Sequence, residues 1–253
     1  MRLARAWCAL VGLSFRRLLW STSTLMVLLP LAICAIWLVR TRYDRMADVE
    51  AAFLKFSEHF VINAFVLFVV PICALVYGTT GVGSDREDRT LLFLLVRPFP
   101  RPLLLAAKFI AAIPLALGLI AGSFYVYCLL AGEAGRLAFE LYLPSVLGMT
   151  LAYVGLFHLF AVAIRHSTIA ALVYGIFIEL LLGLVPGIIK RVTISYYGRV
   201  LIYSAAGPEG LDAPRGFEPI SADAAGWSLL GIALGSMLLA FIVFQWREYR
   251  DLT

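Results

Sequence analysis

Charged residues are scarce in this sequence. Of its 253 residues, 15% are Asp, Glu, Lys or Arg and 62% are hydrophobic, and the mean hydropathy is +0.92. Soluble proteins average about 25% charged and about 45 to 50% apolar residues. The composition therefore excludes an ordinary soluble enzyme and predicts an all-α integral membrane protein.

A stretch long enough for a soluble domain is also absent. The longest interval between strongly apolar stretches is 190–223, whereas an independent domain normally needs at least about 50 residues. We therefore expect one membrane domain over 1–253, without an appended catalytic domain.

Motifs for metal, redox or nucleotide chemistry are lacking as well. The chain has four cysteines without a C-x-x-C pair, three scattered histidines and no G-x-x-x-x-G-K-[ST] loop. We thus expect no metal site, no bound cofactor and no catalytic cluster of a membrane-embedded enzyme. The net charge of +5 comes from Lys and Arg beside apolar stretches, which is typical of membrane topology signals and does not indicate nucleic-acid binding.

Six apolar stretches are long enough to cross a bilayer as helices, since about 20 residues span its hydrocarbon core. They contain a single carboxylate, Glu179, and no Lys or Arg once the third is counted from Phe109. Because its helix is expected to start before that residue, the predicted spans are 18–39, 60–83, 104–132, 141–164, 167–189 and 224–246. Glycines four apart occur in three of them, at 118 and 122, 183 and 187, and 231 and 235, a spacing that favours close helix packing.

The first 17 residues have the pattern of a basic amphipathic helix. Trp7, Val11 and Phe15 recur at helical spacing, while Arg2, Arg5 and Arg16 gather on the other face. Such a helix is expected to lie in the membrane interface, against anionic lipid, and to lead into the first span. The arginines flanking that span place both termini in the cytoplasm. We accordingly expect a multi-pass protein of the cell inner (plasma) membrane, with 190–223 as an external loop.

The connection between spans two and three, 84–101, carries the clearest functional pattern. Ser84 and Glu87 have the spacing of a capping box, which predicts a helix starting at Ser84. Pro98 disfavours helix at Arg97 and predicts the end of this short helix. Its leucines are too few to span a bilayer, so they need an interfacial or protein surface.

This connection resembles a run found in permease subunits of the ABC type-2 export family. That run is similar to E-R-E-R-G-T-L-x-L-L-L-x-R-P-x-x-R-x-x-L-L-L-G-K, and here the chain reads SDREDRTLLFLLVRPFPRPLLLAAK. Asp85 and Glu87 take the acidic positions, Arg97 and Pro98 the R-P pair, and Lys108 the closing lysine. The chain departs from the family pattern at two positions, where Arg89 and Ala107 stand in place of glycines.

The resemblance implies that 84–101, which we call the coupling segment, docks on a separate ATP-binding subunit. It further implies a complex with two ATPase copies, which bind ATP and Mg, and a second permease copy or homologue. The implied ATPase-coupling residues are Asp85, Arg86, Glu87, Arg89, Leu91, Leu94, Arg97 and Arg101, with the leucines filling a groove and Asp85, Arg86, Glu87 and Arg89 forming a polar rim. The alternative is a secondary transporter or channel-like protein that works without ATP.

Glu179 is the second candidate site, because a carboxylate in the middle of a span is costly unless it has a partner. Counting from the turn between spans four and five places Glu179 level with Tyr153, and His158 level with Tyr174. Two hypotheses remain open for Glu179. In the first, it has a functional role and either lines the substrate route or carries a proton. In the second, it has a structural role and accepts a helix-packing hydrogen bond from Tyr153.

Overall fold

The chain is an all-helical bundle in a computed structural model that describes residues 2–46, 48–87, 100–183 and 188–247; no strand occurs among them. The helices are α1 (Arg2–Leu19), α2 (Thr22–Thr41), α3, α4 (Arg101–Leu130), α5 (Glu133–Ala163), α6, α7 (Ile194–Ala206) and α8 (Ala222–Trp246). Helix α3 is continuous through Val49–Lys55, the π-helical Phe56–Val69 and Val70–Glu87. Helix α6 joins Ser167–Val173 to the π-helical Tyr174–Leu182.

Five of the six predicted spans correspond to helices long and apolar enough to cross a membrane. They are Thr22–Thr41, Val49–Gly83, Arg101–Leu130, Glu133–Ala163 and Ala222–Trp246. The predicted span 167–189 corresponds to the shorter apolar helix Ser167–Leu182, followed by residues 184–187, which lie outside the described ranges. The protein is thus a multi-pass membrane protein, and five helices among the described residues are long and apolar enough to span the bilayer.

Helix α5 lies at the centre of the bundle and packs against α3, α4, α7 and α8. The core is built largely from aromatic side chains. The rings of Phe60, Phe65 and Tyr127 stack or meet edge to face, with ring centroids 5.1 to 6.4 Å apart. Helices α2 and α8 lie on the outside, with exposed apolar side chains such as Leu25, Met26 and Leu234. Exposed leucine and methionine are stable there because lipid, not water, surrounds a spanning helix.

Side-chain hydrogen bonds connect the helices in two regions of the bundle. In the first, which we call the basic end, the indole N–H of Trp7 donates to the Leu103 carbonyl at 2.9 Å, and the Arg247 guanidinium donates to the Ala163 carbonyl. The start of α2, the end of α3, the start of α4 and the ends of α5 and α8 meet there. In the second, which we call the capped end, the Ser145 hydroxyl donates to the Gly198 carbonyl at 2.8 Å, so α7 packs against the middle of α5.

Two of the three glycine pairs expected to mediate close packing face open space among the described residues, and Gly187 of the third pair lies outside them. A Cβ added at Gly118, Gly122, Gly231 or Gly235 would meet nothing within 4 Å. Close contacts fall on other glycines: a Cβ at Gly78 would lie 2.5 Å from the Phe157 Cβ, where α3 crosses α5. Spacing alone did not identify the buried glycines, because it does not show which face of a helix is turned inward.

Candidate functional sites at the two ends of the bundle

The described ends of the coupling segment, 84–87 and 100–101, lie at the basic end. Residues 84–87 form the last turn of α3, so the expectation that a new helix starts at Ser84 was wrong. Nothing in 84–87 interrupts the helix, and the capping-box spacing falls inside it. Backbone and side chains of Arg89, Leu91, Leu94 and Arg97, and the side chains of Arg86 and Glu87, lie outside the described part of the chain.

Asp85 is the best-defined residue of this segment. Its carboxylate is fully buried, and it accepts hydrogen bonds from the Lys108 ammonium and, at 2.5 Å, from the Arg17 guanidinium. Lys108 is itself buried, whereas the Arg17 side chain is about half exposed. The structure thus places Asp85 in an internal ion cluster, not in the exposed polar rim where the sequence pattern put it.

This ion cluster joins three helices at the two ends of the coupling segment. Asp85 comes from the end of α3, Lys108 from the second turn of α4, and Arg17 from the end of α1. A carboxylate shared by two cations forms charge-assisted hydrogen bonds, which are stronger than neutral ones. The last turn of α3 and the first turns of α4 are therefore held together, and α1 is attached to both.

Arg101, the last of the predicted coupling residues, contributes a further contact at this end. It is exposed, and its guanidinium lies 3.5 Å from the Arg247 carbonyl at the end of α8, which is the long limit of a hydrogen bond. Arg247 in turn donates to the end of α5. The basic end thus connects the ends of α5 and α8 to the start of α4.

At the capped end, Glu179 is buried with three hydrogen bonds to its carboxylate. Oε1 accepts from the Tyr174 hydroxyl at 2.9 Å and from the Ile194 backbone N–H at 2.8 Å, and Oε2 accepts from the Ser195 N–H at 3.1 Å. Ile194 and Ser195 are the first residues of α7, whose N–H groups have no partner within the helix. The carboxylate therefore caps α7 from a neighbouring helix.

The remaining first-turn donor of α7 has a partner of its own. The Thr193 hydroxyl accepts from the Tyr196 N–H at 3.2 Å, as expected for an N-cap threonine. Glu179 and Thr193 together satisfy the N–H groups of Ile194, Ser195 and Tyr196. A carboxylate at this position also interacts favourably with the positive end of the helix dipole.

Tyr174, and not Tyr153, donates to Glu179. Tyr153 lies close to the carboxylate and to Ser195, but its buried hydroxyl makes no hydrogen bond of acceptable geometry to a described residue. Tyr153 stacks instead on Phe157 with centroids 5.8 Å apart. The predicted position of Tyr153 beside Glu179 is confirmed, but the hydroxyl that donates to the carboxylate is that of Tyr174, five residues before Glu179 on the same helix.

Arg199 supplies a positive charge near Glu179. The predicted spans gave no sign of it, because Arg199 lies between two of them. Its guanidinium donates to the Gly183 carbonyl at 3.3 Å and lies over the Phe217 ring at 5.6 Å from the centroid. Burial lowers the pKa of Arg199, while the neighbouring Tyr203 and Glu179 act to raise it. The cation comes from α7, outside the apolar spans, so no search within the spans could find it.

His158 is fully buried near the basic end. Its ring stacks on Phe109 with centroids 4.0 Å apart, and its Nε2 lies where a Cβ at Gly81 would be 3.3 Å away. Both ring nitrogens are without hydrogen-bond partners among the described residues. The Tyr174 ring, whose hydroxyl donates to Glu179, packs on Phe157 and Phe160, so His158 and Glu179 lie on neighbouring levels of the bundle. No hydrogen bond joins His158 to Glu179 or to Tyr174 among the described residues.

Comparison with known families identifies the kind of protein that has this bundle. The family model described as ABC-2 family transporter protein matches residues 17–202. The chain belongs to the ABC-2 transporter family. The matched range begins at Arg17, contains the coupling segment and the Asp85 cluster, and ends within α7.

No curated protein matches the chain. Membership of the ABC-2 family makes it a component of a membrane transport system, and such permeases are generally not catalytic themselves. ABC-2 permeases typically act with ATP-binding subunits. The sequence-based recognition of an ABC type-2 permease is confirmed by the family match.

Proposed function

We propose that this chain is the transmembrane permease subunit of an ATP-binding cassette transporter. In this proposal the helices form the substrate route, and the coupling segment docks on a separate subunit that binds ATP and Mg and hydrolyses the ATP. The observation that supports it most directly is the ion cluster of Asp85, Lys108 and Arg17, which unites the two ends of the coupling segment inside the ABC-2 fold.

The cluster gives the coupling segment a firm attachment. A displacement of 88–99 by a partner pulls on both the end of α3 and the start of α4, and the shared carboxylate makes these two ends move together. Arg17 extends the same movement to α1. Buried ion pairs suit this purpose, because separating their charges in a low-dielectric environment costs more than at a solvated surface.

The contacts at the basic end also support six crossings with both termini on one side. The start of α2 and the end of α8 lie at the same end, and Arg247 touches the end of α5. If α6 and the residues after it form one further crossing, the chain returns to the side of the capped end, where Glu179 contacts α7. The total number of crossings is then even. We therefore retain Ser167–Leu182 as part of a sixth span, with cytoplasmic termini in the plasma membrane and the α7 region outside.

We further propose a complex of two permease copies and two ATPase subunits, as the family resemblance implies. The outward faces of α2 and α8 carry exposed apolar residues, which in a membrane contact lipid or a second permease. Residues Leu91 and Leu94 are assigned to the apolar contact with the ATPase, with Glu87, Arg86, Arg89 and Arg97 around them. Asp85 is excluded from that contact because its carboxylate is buried.

Co-purification with the ATP-binding protein encoded next to this chain tests the proposal. A tag on the permease alone should retain the ATPase, and Leu91→Asp and Arg97→Glu should each release it or abolish its stimulated ATP hydrolysis. Arg40→Glu, a charge reversal at an exposed site in the last turn of α2, is the matched control and should retain both binding and activity. Leu91→Ala should give an intermediate loss.

The alternative, a secondary transporter or channel, makes the opposite prediction. No ATPase would be retained under any condition, and transport would continue without ATP. Glu179 would then be the first residue to examine as a proton or substrate site. Its three hydrogen bonds and its position at the α7 terminus support a structural role instead.

A further inference from the structure

The segment between α7 and α8, residues 207–221, packs on α7 and is called the strap here. Its residues 212, 214–216, 218 and 219 are exposed, whereas the Phe217 side chain is only 7% exposed. Beside it, the Tyr196 hydroxyl donates to the Glu218 carbonyl at 2.6 Å, and the Lys190 ammonium donates to the Gly216 carbonyl. Residues 216–218 therefore hold the middle of the strap against α7 and the turn that precedes it.

The Phe217 ring lies among two tyrosines and two cations. Its centroid is 5.3 Å from that of Tyr196 and 5.1 Å from that of Tyr203. The Lys190 Nζ lies 5.0 Å from the same centroid, and the Arg199 Cζ lies 5.6 Å from it. One apolar ring thus occupies a place to which two positive charges are directed.

The two cations lack an anionic partner. Neither Lys190 nor Arg199 makes an ion pair with a carboxylate among the described residues. Lys190 is 4% exposed and its ammonium makes one hydrogen bond within the described chain, although it has three N–H groups. The buried Nε of Arg199 has no partner among the described residues. Buried charges are costly unless they are paired, so this place favours an anion.

The neighbouring carboxylates do not fill that place. Glu179 lies near Arg199, but its oxygens already accept three hydrogen bonds as the cap of α7. The strap carboxylates of Glu209, Asp212 and Glu218 are exposed. A cation gains less over an aromatic ring than in a charge-assisted hydrogen bond to an oxyanion. An oxyanion can therefore compete with the Phe217 ring for the two cations.

We propose that Lys190 and Arg199 form a binding site for a phosphate group, and that Phe217 occupies this site while the strap is closed. The phosphate enters when the strap lifts, takes the place of the ring and accepts hydrogen bonds from both cations. A phosphate monoester carries a charge of about −1.5 to −2 at neutral pH, which suits two cations better than a single carboxylate does. The site needs neither ATP nor a partner subunit, so its test is independent of the transport proposal.

Equilibrium dialysis of the full chain in detergent against radiolabelled inorganic phosphate, at constant ionic strength set with chloride, tests the site. Only the open fraction of the chain binds, so a closed strap lowers the apparent affinity. Phe217→Ala removes the competing ring and should tighten phosphate binding at least about tenfold, as expected if the open state is a minor one. In the unsubstituted chain, phosphate should speed hydrogen exchange of the Phe217 amide, which donates to the Pro214 carbonyl at 2.9 Å.

Further changes in the Phe217→Ala background test the cations. Lys190→Gln should weaken phosphate binding at least about tenfold, as expected for loss of a charge-assisted hydrogen bond, and Lys190→Arg, which keeps the charge, should retain it. Arg215→Gln is the matched control, because Arg215 is exposed on the strap two residues before Phe217. It should change the affinity by no more than about threefold, as expected for an exposed charge.

Equal phosphate affinity of the unsubstituted chain and Phe217→Ala would overturn the proposal that the ring occupies the site. Equal losses from Lys190→Gln and Arg215→Gln would overturn the assignment of the cations. If Lys190→Gln fails to fold, the comparison of Phe217→Ala with the unsubstituted chain still decides, because both of these keep the two cations. Phosphatidic acid in the same detergent distinguishes the sources: a gain for inorganic phosphate supports a soluble ligand, and a gain for the lipid alone supports a lipid headgroup in the same site.

Discussion

Among the described residues, the basic end and the capped end each hold one buried carboxylate, and the two are stabilised in different ways. Asp85 at the basic end is paired with two cations, from α1 and α4. Glu179 at the capped end accepts from a tyrosine hydroxyl and from two backbone N–H groups at the start of α7. The first is an ionic connection between helices distant in sequence, and the second is a helix cap from a nearby segment.

The two carboxylates differ in how many helices are affected when the carboxylate is lost. Asp85 connects residues 68 and 23 positions away in the chain, so its loss affects three helices and leaves a buried cation unpaired. Glu179 connects residues 5 to 16 positions away, so its loss is confined to α6 and α7. We therefore expect global destabilisation from the basic end and local loosening from the capped end.

Asp85→Asn should have the largest effect. Removing one partner of a buried ion pair leaves the other charge buried without a partner, which lowers the free energy of unfolding by about 3 to 5 kcal/mol. We expect a large fall in the midpoint of thermal unfolding of the detergent-solubilised chain. The double change Asp85→Leu with Lys108→Met, which removes both charges, should be milder than Asp85→Asn alone. A double change as harmful as the single one would show that the ion pair is not what stabilises this end.

Five of the six predicted spans correspond to long apolar helices, because apolar length is a strong signal, but the helix ends differ from the predicted ends. Helix α3 was expected to begin at residue 60 and begins at Val49, where Asp48 Oδ1 accepts from the Glu50 N–H at 3.0 Å. Charged residues in 49–59 hide this extension from any hydropathy criterion. Helix α5 likewise begins at Glu133, eight residues before the expected span, with Ala134, Gly135 and Ala138 buried along one face.

The sequence was enough to single out the residues of the candidate sites, but not to predict which of them contact each other. Asp85 and Lys108 both belong to the family-like run, yet no helical spacing pairs them, because they are 23 positions apart in the chain. The partners of Glu179 were missed for another reason. Backbone N–H groups carry no sequence signature of their own; the available signal was Thr193, an N-cap residue that marks the start of α7.

Glu179→Gln should have a moderate and local effect. The amide keeps one oxygen as an acceptor, but its NH₂ group faces one of the N–H donors of α7 and cannot accept from it. The free energy of unfolding should fall by about 1 to 3 kcal/mol. Hydrogen exchange of the amides of Ile194, Ser195 and their successors in α7 should become faster, while the helices at the basic end keep their protection. Glu133→Gln is the control, because that carboxylate is 71% exposed in a surface pair with Arg136. Uniformly faster exchange throughout the bundle after Glu179→Gln would remove the distinction between the two ends.

The smallest expected effects come from two tyrosines that differ in a single hydrogen bond. Tyr174→Phe removes the side-chain donor to Glu179 and should cost about 1 kcal/mol. Tyr153→Phe removes a buried hydroxyl without a described partner, so the midpoint of thermal unfolding should stay unchanged or rise. Because both changes delete one oxygen near the same carboxylate, their comparison isolates the hydrogen bond from the general effect of losing polarity. If Tyr153→Phe proved the more destabilising of the two, Tyr153 would be the true donor to Glu179, and the cap would be held from α5 instead of from α6.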